Sequence, residues 1–371
     1  WLILQEAIIK KLCYIEGRVR DCKAEIKSLN IKRKNPSIRL TKEESNVVKK
    51  RLKVLNYQIE EYHWIISILK SIGDGIAFTF IHKLDIKPQN FKESPGFISG
   101  KKGLLLEKKI LRHSFKNNTI AILNDITSVL RYADLTVITD DGFIPIEAKS
   151  SENKNSRVKR QEDKTNKLYK YLSEDVTSDL YGDGSEVMQR MELGSPEINY
   201  LDKFNKIIVS AEKNRFDYAK FEEGFTCIVA FEEVDNSVFD LAVKKQGLIE
   251  PFAFHLNMYK FEEQGYYPFS LTYFEPKHYW NFLEGKMNVL AFIDFSYLKK
   301  IAKDNGYSIE RAKEENWAFN FKSLDPKSEI KEFKMSEHFF FRSFMEMVSI
   351  KWLMQDTFDR FKNKINELKR L

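Results

Sequence analysis

The chain has 371 residues and a formal net charge of +7, with 43% hydrophobic and 13% aromatic residues. This composition excludes a disordered chain and predicts a folded protein of one large domain or two to three ordinary ones. Its three cysteines, Cys13, Cys22 and Cys227, do not make a disulfide framework or a zinc site. Because no apolar run approaches the roughly 20 residues of a membrane span, we expect a cytoplasmic protein.

Positive charge is concentrated near the start of the chain. Residues 1–60 hold 15 Lys and Arg against 7 Asp and Glu, a net charge of +8, so the rest of the chain sums to −1. A concentrated basic segment suits a polyanion such as nucleic acid. A solvated helix face explains the same pattern, and the sequence leaves both explanations open.

Two segments near the start carry apolar residues at alternating spacings of four and three, the pattern of a helix-packing seam. A break at Asn35-Pro36-Ser37 and a capping box from Thr41 to Glu44 separate them. We predict an antiparallel helical hairpin over residues 1–72, ending at Ser71-Ile72-Gly73-Asp74-Gly75. This arm can pack on itself, on the rest of the protein or on a second subunit. The first seam is Ile8, Leu12, Ile15, Val19, Cys22, Ile26 and Leu29, and the second is Val48, Leu52, Leu55, Ile59, Tyr62, Ile66 and Leu69.

The segment from residue 77 to residue 130 alternates between apolar elements and loops. Ala77–Leu84 is apolar enough for the core, and Gly100-Lys101-Lys102-Gly103 is predicted to be a plain turn because it lacks the spacing of a phosphate-binding loop. A helix is predicted over Leu104–His113, and a strand within Thr119–Leu130.

A β-hairpin is predicted next, with strands Leu135–Thr139 and Phe143–Ala148 joined by a turn at Asp140-Asp141-Gly142. Asp134 stands just before the first strand. Glu147 and Lys149 lie two residues apart at the end of the second strand, so they project to the same face. The hairpin brings Asp134 towards this pair. Two carboxylates at one point can hold Mg²⁺, which acidifies a bound water, while an ammonium group orients that water or offsets charge on a phosphate.

An aspartate followed by Glu-Ala-Lys across a β-hairpin resembles the PD-(D/E)xK nuclease superfamily, which includes many restriction and repair endonucleases. The resemblance covers about residues 73–231. It implies that Asp134 and Glu147 bind Mg²⁺ or Mn²⁺ and that Lys149 is the catalytic lysine. Ala133 departs from the family pattern, since it stands where the name-giving proline would be.

The resemblance also implies a third acid on the helix before the hairpin and a phosphate-facing helix after it. By order along the chain, Glu107 matches the third acid; Asp74 is the alternative, and Asp125 is a poorer one. A basic helix is predicted from about Arg157. Nucleic-acid-binding candidates in this region are Lys154, Arg157, Lys159, Arg160, Gln161 and Lys164.

The remaining sequence predicts further α/β structure. Lys206–Ala211 and Thr226–Phe231 are predicted as strands that extend a mixed sheet, and Val289–Phe295 as a buried strand. The expected fold is α/β (α+β), with a restriction-endonuclease-like mixed sheet core over residues 73–233. The helical arm precedes this core, and an accessory, partly helical region follows over residues 234–371, where the many aromatic residues are expected to pack in a core.

Together these observations predict a magnesium-dependent DNA endonuclease, with DNA favoured over RNA. The resemblance associates it with restriction or anti-phage defence. A homodimer or a partner protein through the arm is compatible with the sequence. Two alternatives remain: a catalytically silent nuclease-fold subunit that binds nucleic acid or acts as a scaffold, and a coiled-coil interaction protein in which Glu-Ala-Lys occurs by chance.

Overall fold

The computed structural model describes residues 1–35, 40–86, 89, 96–140, 142–148, 156–178, 180, 187–189, 193–231, 240, 244–260 and 267–368. For residues 156–162, 188 and 364–368 it describes the backbone alone. Contacts divide the chain into two compact units, Trp1–Gln189 and Arg190–Leu371. The predicted three-domain division, with boundaries after residues 72 and 233, stays a prediction.

Helices α1 (Leu2–Lys34) and α2 (Lys42–Phe80) form the predicted helical hairpin. They are antiparallel, because Glu25 pairs with Arg51 at 2.7 and 2.9 Å while the earlier Cys22 contacts the later Gln58. The α1 seam is buried along most of its length, which confirms the heptad prediction. Its buried members are Ile8, Leu12, Ile15, Val19 and Cys22.

The start of α2 has the predicted capping box. Thr41 Oγ1 accepts a hydrogen bond from the Glu44 amide at 3.1 Å, and Glu44 Oε2 accepts one from the Thr41 amide at 2.8 Å. These two bonds satisfy amide groups that the first helical turn leaves without partners.

The predicted end of α2 at residues 71–75 is wrong, because the helix continues to Phe80. Glycine in a helix interior costs about 1 kcal/mol, but here tertiary contacts offset that cost. A Cβ at Gly73 would lie 2.1 Å from the Ile126 carbonyl oxygen, so only glycine allows this approach. The neighbouring Asp74 carboxylate accepts hydrogen bonds from the amides of Ser128 at 2.7 Å and Val129 at 3.2 Å.

A three-stranded antiparallel sheet follows, in the order β1 (Ala121–Leu123), β2 (Leu135–Thr139) and β3 (Gly142–Ile146). The β2–β3 pairs run from Leu135 with Ile146 to Thr139 with Gly142, which confirms the predicted hairpin. Strand β3 ends two residues before its predicted end, because the Ala148 amide donates to the Asp134 carboxylate at 2.9 Å instead of to a strand carbonyl.

Helices and strands of the first unit share one apolar core, with side chains from α1, α2, the helix α4 (Leu104–Lys116), β1 and β2. A short helix α3 (Lys83–Ile86) precedes α4. Gln5 of α1 is buried at the outer edge of β1, where its amide donates to the Ala121 carbonyl at 2.8 Å and accepts from the Leu123 amide at 3.0 Å. One side chain thus pairs with a strand edge that no other strand of the described residues covers.

The first unit ends with helix α5 (Ser156–Glu174), close to its predicted start, and with the short antiparallel pair β4 (Val176–Thr177) and β5 (Met188–Gln189). Thr165, Leu168 and Tyr171 form the buried side of α5. Tyr169 donates its hydroxyl hydrogen to the Pro145 carbonyl at 3.3 Å, which fixes α5 beside β3.

The described elements of the second unit are α6 (Leu201–Asn214), β6 (Phe216–Glu222), β7 (Phe225–Phe231), β8 (Pro251–His255), α7 (Phe269–Thr272), α8 (Pro276–Glu284), β9 (Met287–Asp294), α9 (Phe295–Asp304), β10 (Tyr307–Arg311), β11 (Trp317–Ser323), β12 (Glu332–Ser336), α10 (Glu337–Met345) and α11 (Ile350–Leu368). Its described strands form two antiparallel sheets with the orders β6-β7-β9-β8 and β10-β11-β12.

Two expectations for this region are wrong. Lys206–Ala211 is part of helix α6, whose buried Phe204, Ile207, Ile208 and Ala211 follow the helical period and not the alternation of a strand. Thr226–Phe231 is a strand, but it pairs with β6 and β9 and does not extend the hairpin sheet. Every strand pair in the described residues is antiparallel, so these residues do not form the predicted mixed sheet.

Other expectations for the second unit are confirmed. The buried strand predicted at Val289–Phe295 is β9. The aromatic residues form a packed core, in which the rings of Phe321 and Phe333 stack at 4.7 Å and those of Phe254 and Phe344 at 4.4 Å. Among the described helices, none is both long and apolar enough to cross a membrane.

The structure therefore confirms a mixed α/β protein with an N-terminal helical hairpin, and the sheets of its described residues are antiparallel and not mixed. The restriction-endonuclease-like form of the core stays a prediction, as does the accessory role of residues 234–371.

Candidate functional site

The connection between β1 and β2 carries two acids, Asp125 and Asp134, and the buried Asn124 holds its two ends together. The Asn124 side chain donates to the Tyr132 carbonyl and accepts from the Thr136 hydroxyl at 2.8 Å. Its backbone amide donates to the Asp134 carbonyl at 3.0 Å. Because a buried amide with all these bonds is costly to remove, Asn124 fixes both ends of the loop.

The residue before Asp134 has a backbone conformation that excludes proline. Ala133 has a φ of 65°, in the left-handed region. Proline is restricted to φ near −65°, so this loop cannot accept the name-giving proline at position 133. The left-handed conformation costs a residue such as alanine about 1–2 kcal/mol, and the Asn124 bonds on both sides maintain it.

The Asp134 side chain bridges the loop and the end of the hairpin. Its Oδ2 accepts from the Ala148 amide at 2.9 Å, and its backbone amide donates to the Ile146 carbonyl at 3.1 Å. Asp134 therefore lies directly beside the chain segment that carries half-buried Glu147. The predicted proximity of the two hairpin acids agrees with this backbone geometry.

Three carboxylates converge on the ammonium group of Lys101. Lys101 Nζ lies 2.8 Å from Asp125 Oδ2, 2.9 Å from Asp134 Oδ1 and 3.0 Å from Glu107 Oε1. Burial would lower the pKa of Lys101, but Asp125 and Asp134 outweigh burial and raise that pKa above its ordinary value. With all four groups ionised, three negative charges face one positive charge, so the cluster retains a charge of −2.

Glu107 is the most buried member, with 1% of its side chain exposed. Its Oε1 faces Lys101, but its Oε2 is buried and has no hydrogen-bond partner in the described part of the chain. Burial raises the pKa of Glu107; Lys101 opposes this effect, and the nearby Asp134 and Asp125 add to it. A buried carboxylate oxygen without a partner is unfavourable, so this atom indicates a position for a further cation or donor.

The loop that carries Lys101 is anchored by helix α1. The buried Glu16 carboxylate accepts from the amides of Ile98 at 3.2 Å and Ser99 at 2.7 Å. Arg20 donates to the Ser99 carbonyl at 2.7 Å and to its hydroxyl at 2.8 Å. The arm thus fixes the backbone from which the Lys101 side chain reaches the carboxylates.

The structure separates the candidates for the third acid. Glu107 and Asp125 join Asp134 at Lys101, whereas Asp74 binds the Ser128 and Val129 amides and the Ser128 hydroxyl. Asp74 therefore holds the far side of the loop and does not contact the Lys101 ammonium.

Several of the predicted catalytic and nucleic-acid-binding residues are described by their backbone alone or lie outside the described residues. Lys149 and Lys154 lie outside the described residues. Helix α5 contains the next group of candidates, but the structure gives only their backbone: Arg157, Lys159, Arg160 and Gln161. Lys164, on the same helix, is exposed. The helix itself is in the predicted place after the hairpin.

Sequence reasoning missed Lys101, because Gly100-Lys101-Lys102-Gly103 predicts only a plain turn. Its signal was a lysine in a glycine-flanked loop just before a helix with an acid in its first turn. A Cβ at Gly103 would lie 2.8 Å from Glu107 Oε1, so glycine leaves room for the acid to fold back over the loop.

The donors around Lys101 suit a hard divalent cation, although the ammonium group lies at their centre. Among the described residues, no three His, Cys, Asp or Glu side chains are grouped closely enough to hold a metal ion directly. The three carboxylate oxygens lie at hydrogen-bond distances from Lys101 Nζ. These distances are longer than a Mg²⁺–oxygen bond, which is about 2.0–2.1 Å. All contacting atoms are carboxylate oxygens, and one buried oxygen of Glu107 has no partner, so the chemistry of the site fits Mg²⁺ or Mn²⁺.

Comparison with protein-family models, with curated proteins and with solved structures finds no match for this chain.

Proposed function

We propose that this protein is a divalent-metal-dependent nuclease that hydrolyses phosphodiester bonds, with DNA favoured over RNA. The observation that carries the proposal is the convergence of Glu107, Asp125 and Asp134 on one cation. This cluster lies at the end of the β2–β3 hairpin, where the chain continues into Glu147-Ala148-Lys149. A grouping of acids around a positive charge, followed by a lysine, suits the hydrolysis of a phosphate ester.

Each residue in the proposal has a separate task. Asp134 and Glu147 would hold Mg²⁺ or Mn²⁺, with Glu107 as a third ligand and Asp125 beside it. When bound, the metal supplies an acidified water and offsets charge on the phosphate. The Ala148 amide keeps Asp134 oriented towards the cluster. Lys149, assigned from the sequence, would orient the attacking water.

Basic segments would hold the nucleic acid. The amino-terminal 60 residues carry a net charge of +8, and α5 contributes Lys164 together with Arg157, Lys159, Arg160 and Gln161, while Lys154 precedes it. Contacts of this kind bind phosphates without reading the sequence, so affinity is expected to fall steeply with salt. A homodimer or partner protein bound through the arm, and a role in restriction or anti-phage defence, remain expectations.

The test is cleavage of supercoiled plasmid and of single-stranded DNA and RNA with Mg²⁺ or Mn²⁺. We expect the wild-type protein to cut, and Glu147→Ala and Lys149→Ala to be inactive while keeping the wild-type circular dichroism spectrum. Cleavage that survives both substitutions would show that the Glu-Ala-Lys segment is not the active site.

A second candidate is a silent nuclease-fold subunit that binds nucleic acid without cutting it. The observation that favours it is Lys101, whose ammonium pairs with all three acids without any metal. This candidate predicts DNA binding that is the same with Mg²⁺ and with a chelator, and no cleavage with either metal.

A further inference from the structure

Lys101 occupies the position at which the three carboxylates meet, and one positive charge does not balance them. Glu107, Asp125 and Asp134 all direct an oxygen atom at Nζ within 3.0 Å. The three acids together with a monovalent cation carry a net charge of −2. With a divalent cation in its place the net charge would be −1. Since like charges at close range raise each other's energy, the cluster favours the more highly charged occupant.

Glu107 supplies a second observation at the same cluster. Its side chain is 1% exposed and directed into the cluster, yet its Oε2 has no hydrogen-bond partner in the described residues. The Lys101 ammonium reaches only the other oxygen, Oε1. A cation placed among the acids can use both oxygens of a carboxylate, as hard divalent ions often do.

The Lys101 side chain can leave the acids while its backbone stays in place. The loop is fixed by Glu16 and Arg20, and the Lys101 amide donates to the Ile98 carbonyl at 3.2 Å. The Lys101 side chain is 33% exposed, and those of Asp125 and Asp134 are 13% and 18% exposed, so solvent reaches the cluster. A lysine has four rotatable side-chain bonds, and its ammonium can move several ångströms without any change in the loop.

We propose that Lys101 is an internal cation that competes with a divalent metal ion for Glu107, Asp125 and Asp134. The inference rests on the proposed metal-dependent function and adds a regulatory element to that site. With the metal absent, Lys101 partly offsets the charge of the acids and stabilises the loop. With the metal bound, the Lys101 ammonium lies on the open side of the cluster, where it is available to a phosphate of the substrate.

The first test measures Lys101 in the wild-type protein. The full chain is labelled with an amine-reactive acetylating reagent in a chelator and in Ca²⁺, and modification is quantified by mass spectrometry. We expect Ca²⁺ to increase labelling of Lys101 several-fold. Labelling of Lys102, the exposed neighbouring lysine, should not change. Unchanged labelling of Lys101 at a Ca²⁺ concentration that saturates the protein would overturn the proposal.

The second test compares metal affinities by calorimetry with Ca²⁺ and Mn²⁺. The Lys101 ammonium is tethered beside the acids, so it competes with the metal at an effective concentration in the millimolar range. Removal of this competitor in Lys101→Met should therefore increase the metal affinity over that of wild type by about tenfold or more. Lys102→Met is the matched control and should bind as wild type does. Removal of Lys101 leaves the acids unbalanced, so the variant should also melt at a lower temperature in a chelator and regain stability with metal.

The outcomes separate this inference from the proposed function. Equal metal affinity of wild type and Lys101→Met, with binding lost in Asp134→Asn, would overturn the competition and leave the metal-dependent nuclease in place. An absence of metal binding in both wild type and Lys101→Met would overturn both proposals.

Discussion

Asp74 provides a quantitative test of how the acid-bearing loop is held. Its carboxylate is buried and accepts hydrogen bonds from the Ser128 and Val129 amides and the Ser128 hydroxyl. Burial raises the pKa of Asp74 from 3.8 to about 6, although the bonds from Ser128 and Val129 and the nearby Lys70 oppose the increase. The folded protein therefore binds a proton at Asp74 more tightly than the unfolded chain does.

The sign and size of the effect on stability follow from this difference. A group whose pKa is raised by folding contributes stability that is present below its unfolded pKa of 3.8 and lost as the pH rises through about 6. At 1.36 kcal/mol for each pKa unit, the total change is about 3 kcal/mol, of which about 2 kcal/mol develops between pH 4.5 and pH 7.5.

Asp74→Asn removes the titration and keeps most of the hydrogen bonds. The asparagine oxygen still accepts from the two backbone amides, and its NH₂ group can donate to the Ser128 hydroxyl. The assay is urea denaturation of both proteins from pH 4.5 to pH 7.5, followed by circular dichroism. Titrating groups distant from Asp74 are present in both proteins, so their contributions largely cancel in the difference.

We expect the free energy of unfolding of wild type, relative to Asp74→Asn, to fall by about 2 kcal/mol across this range. A difference that stays constant with pH, or that rises, would refute the assignment of Asp74 as a buried support of the loop. It would also reopen the possibility that Asp74 is an acid of the functional site.

Two further predictions concern backbone positions in the first unit. Gly73→Ala should lower the melting temperature, because the added Cβ would lie 2.1 Å from the Ile126 carbonyl oxygen. Gly17→Ala in α1 is the control: nothing lies within 4 Å of its added Cβ, so this substitution should add about 1 kcal/mol of stability. A lower melting temperature in both would mean that the close approach is not the cause. Ala133→Gly should keep full stability because glycine accepts a φ of 65°, whereas Ala133→Pro should unfold the loop. Equal melting temperatures of these two variants would contradict the left-handed backbone conformation of residue 133.

The elements with a strong local pattern were predictable from the sequence. The seam in α1, the capping box at Thr41 and the β2–β3 hairpin depend on spacings within a few turns or a single turn motif. The hairpin places Asp134 beside the segment of Glu147 for the same reason, since the register of a two-residue turn determines which residues face each other.

The errors arise where contacts distant in sequence decide the structure. The glycines of α2 predict an end to the helix, but Ile126, some 50 residues later, packs against Gly73 and keeps the helix intact. Lys206–Ala211 is rich in β-branched residues, which favour a strand. Its buried residues nevertheless recur with the period of a helix, and the segment is part of α6. Local propensity is a weak predictor in both cases.

The candidate site, too, was predictable where it depends on local order and not where it depends on contacts distant in sequence. The sequence placed Asp134 just before β2 and Glu107 on the helix that precedes the hairpin, and the structure has both at these positions. Lys101 was not predictable, because its role depends on Glu16 and Arg20 of α1, about 80 residues earlier in the chain, which position its loop over the acids.

The most direct measurement of the central claim compares two aspartates of the same hairpin in plasmid cleavage at saturating Mg²⁺. Asp134 lies in the carboxylate cluster, and Asp140 is exposed at the opposite end. Loss of a metal ligand removes several kcal/mol of transition-state stabilisation, so Asp134→Asn should cut about 100-fold more slowly or worse. Asp140→Asn should cut at the wild-type rate. Equal rates for the two variants would contradict the assignment of this cluster as the catalytic site.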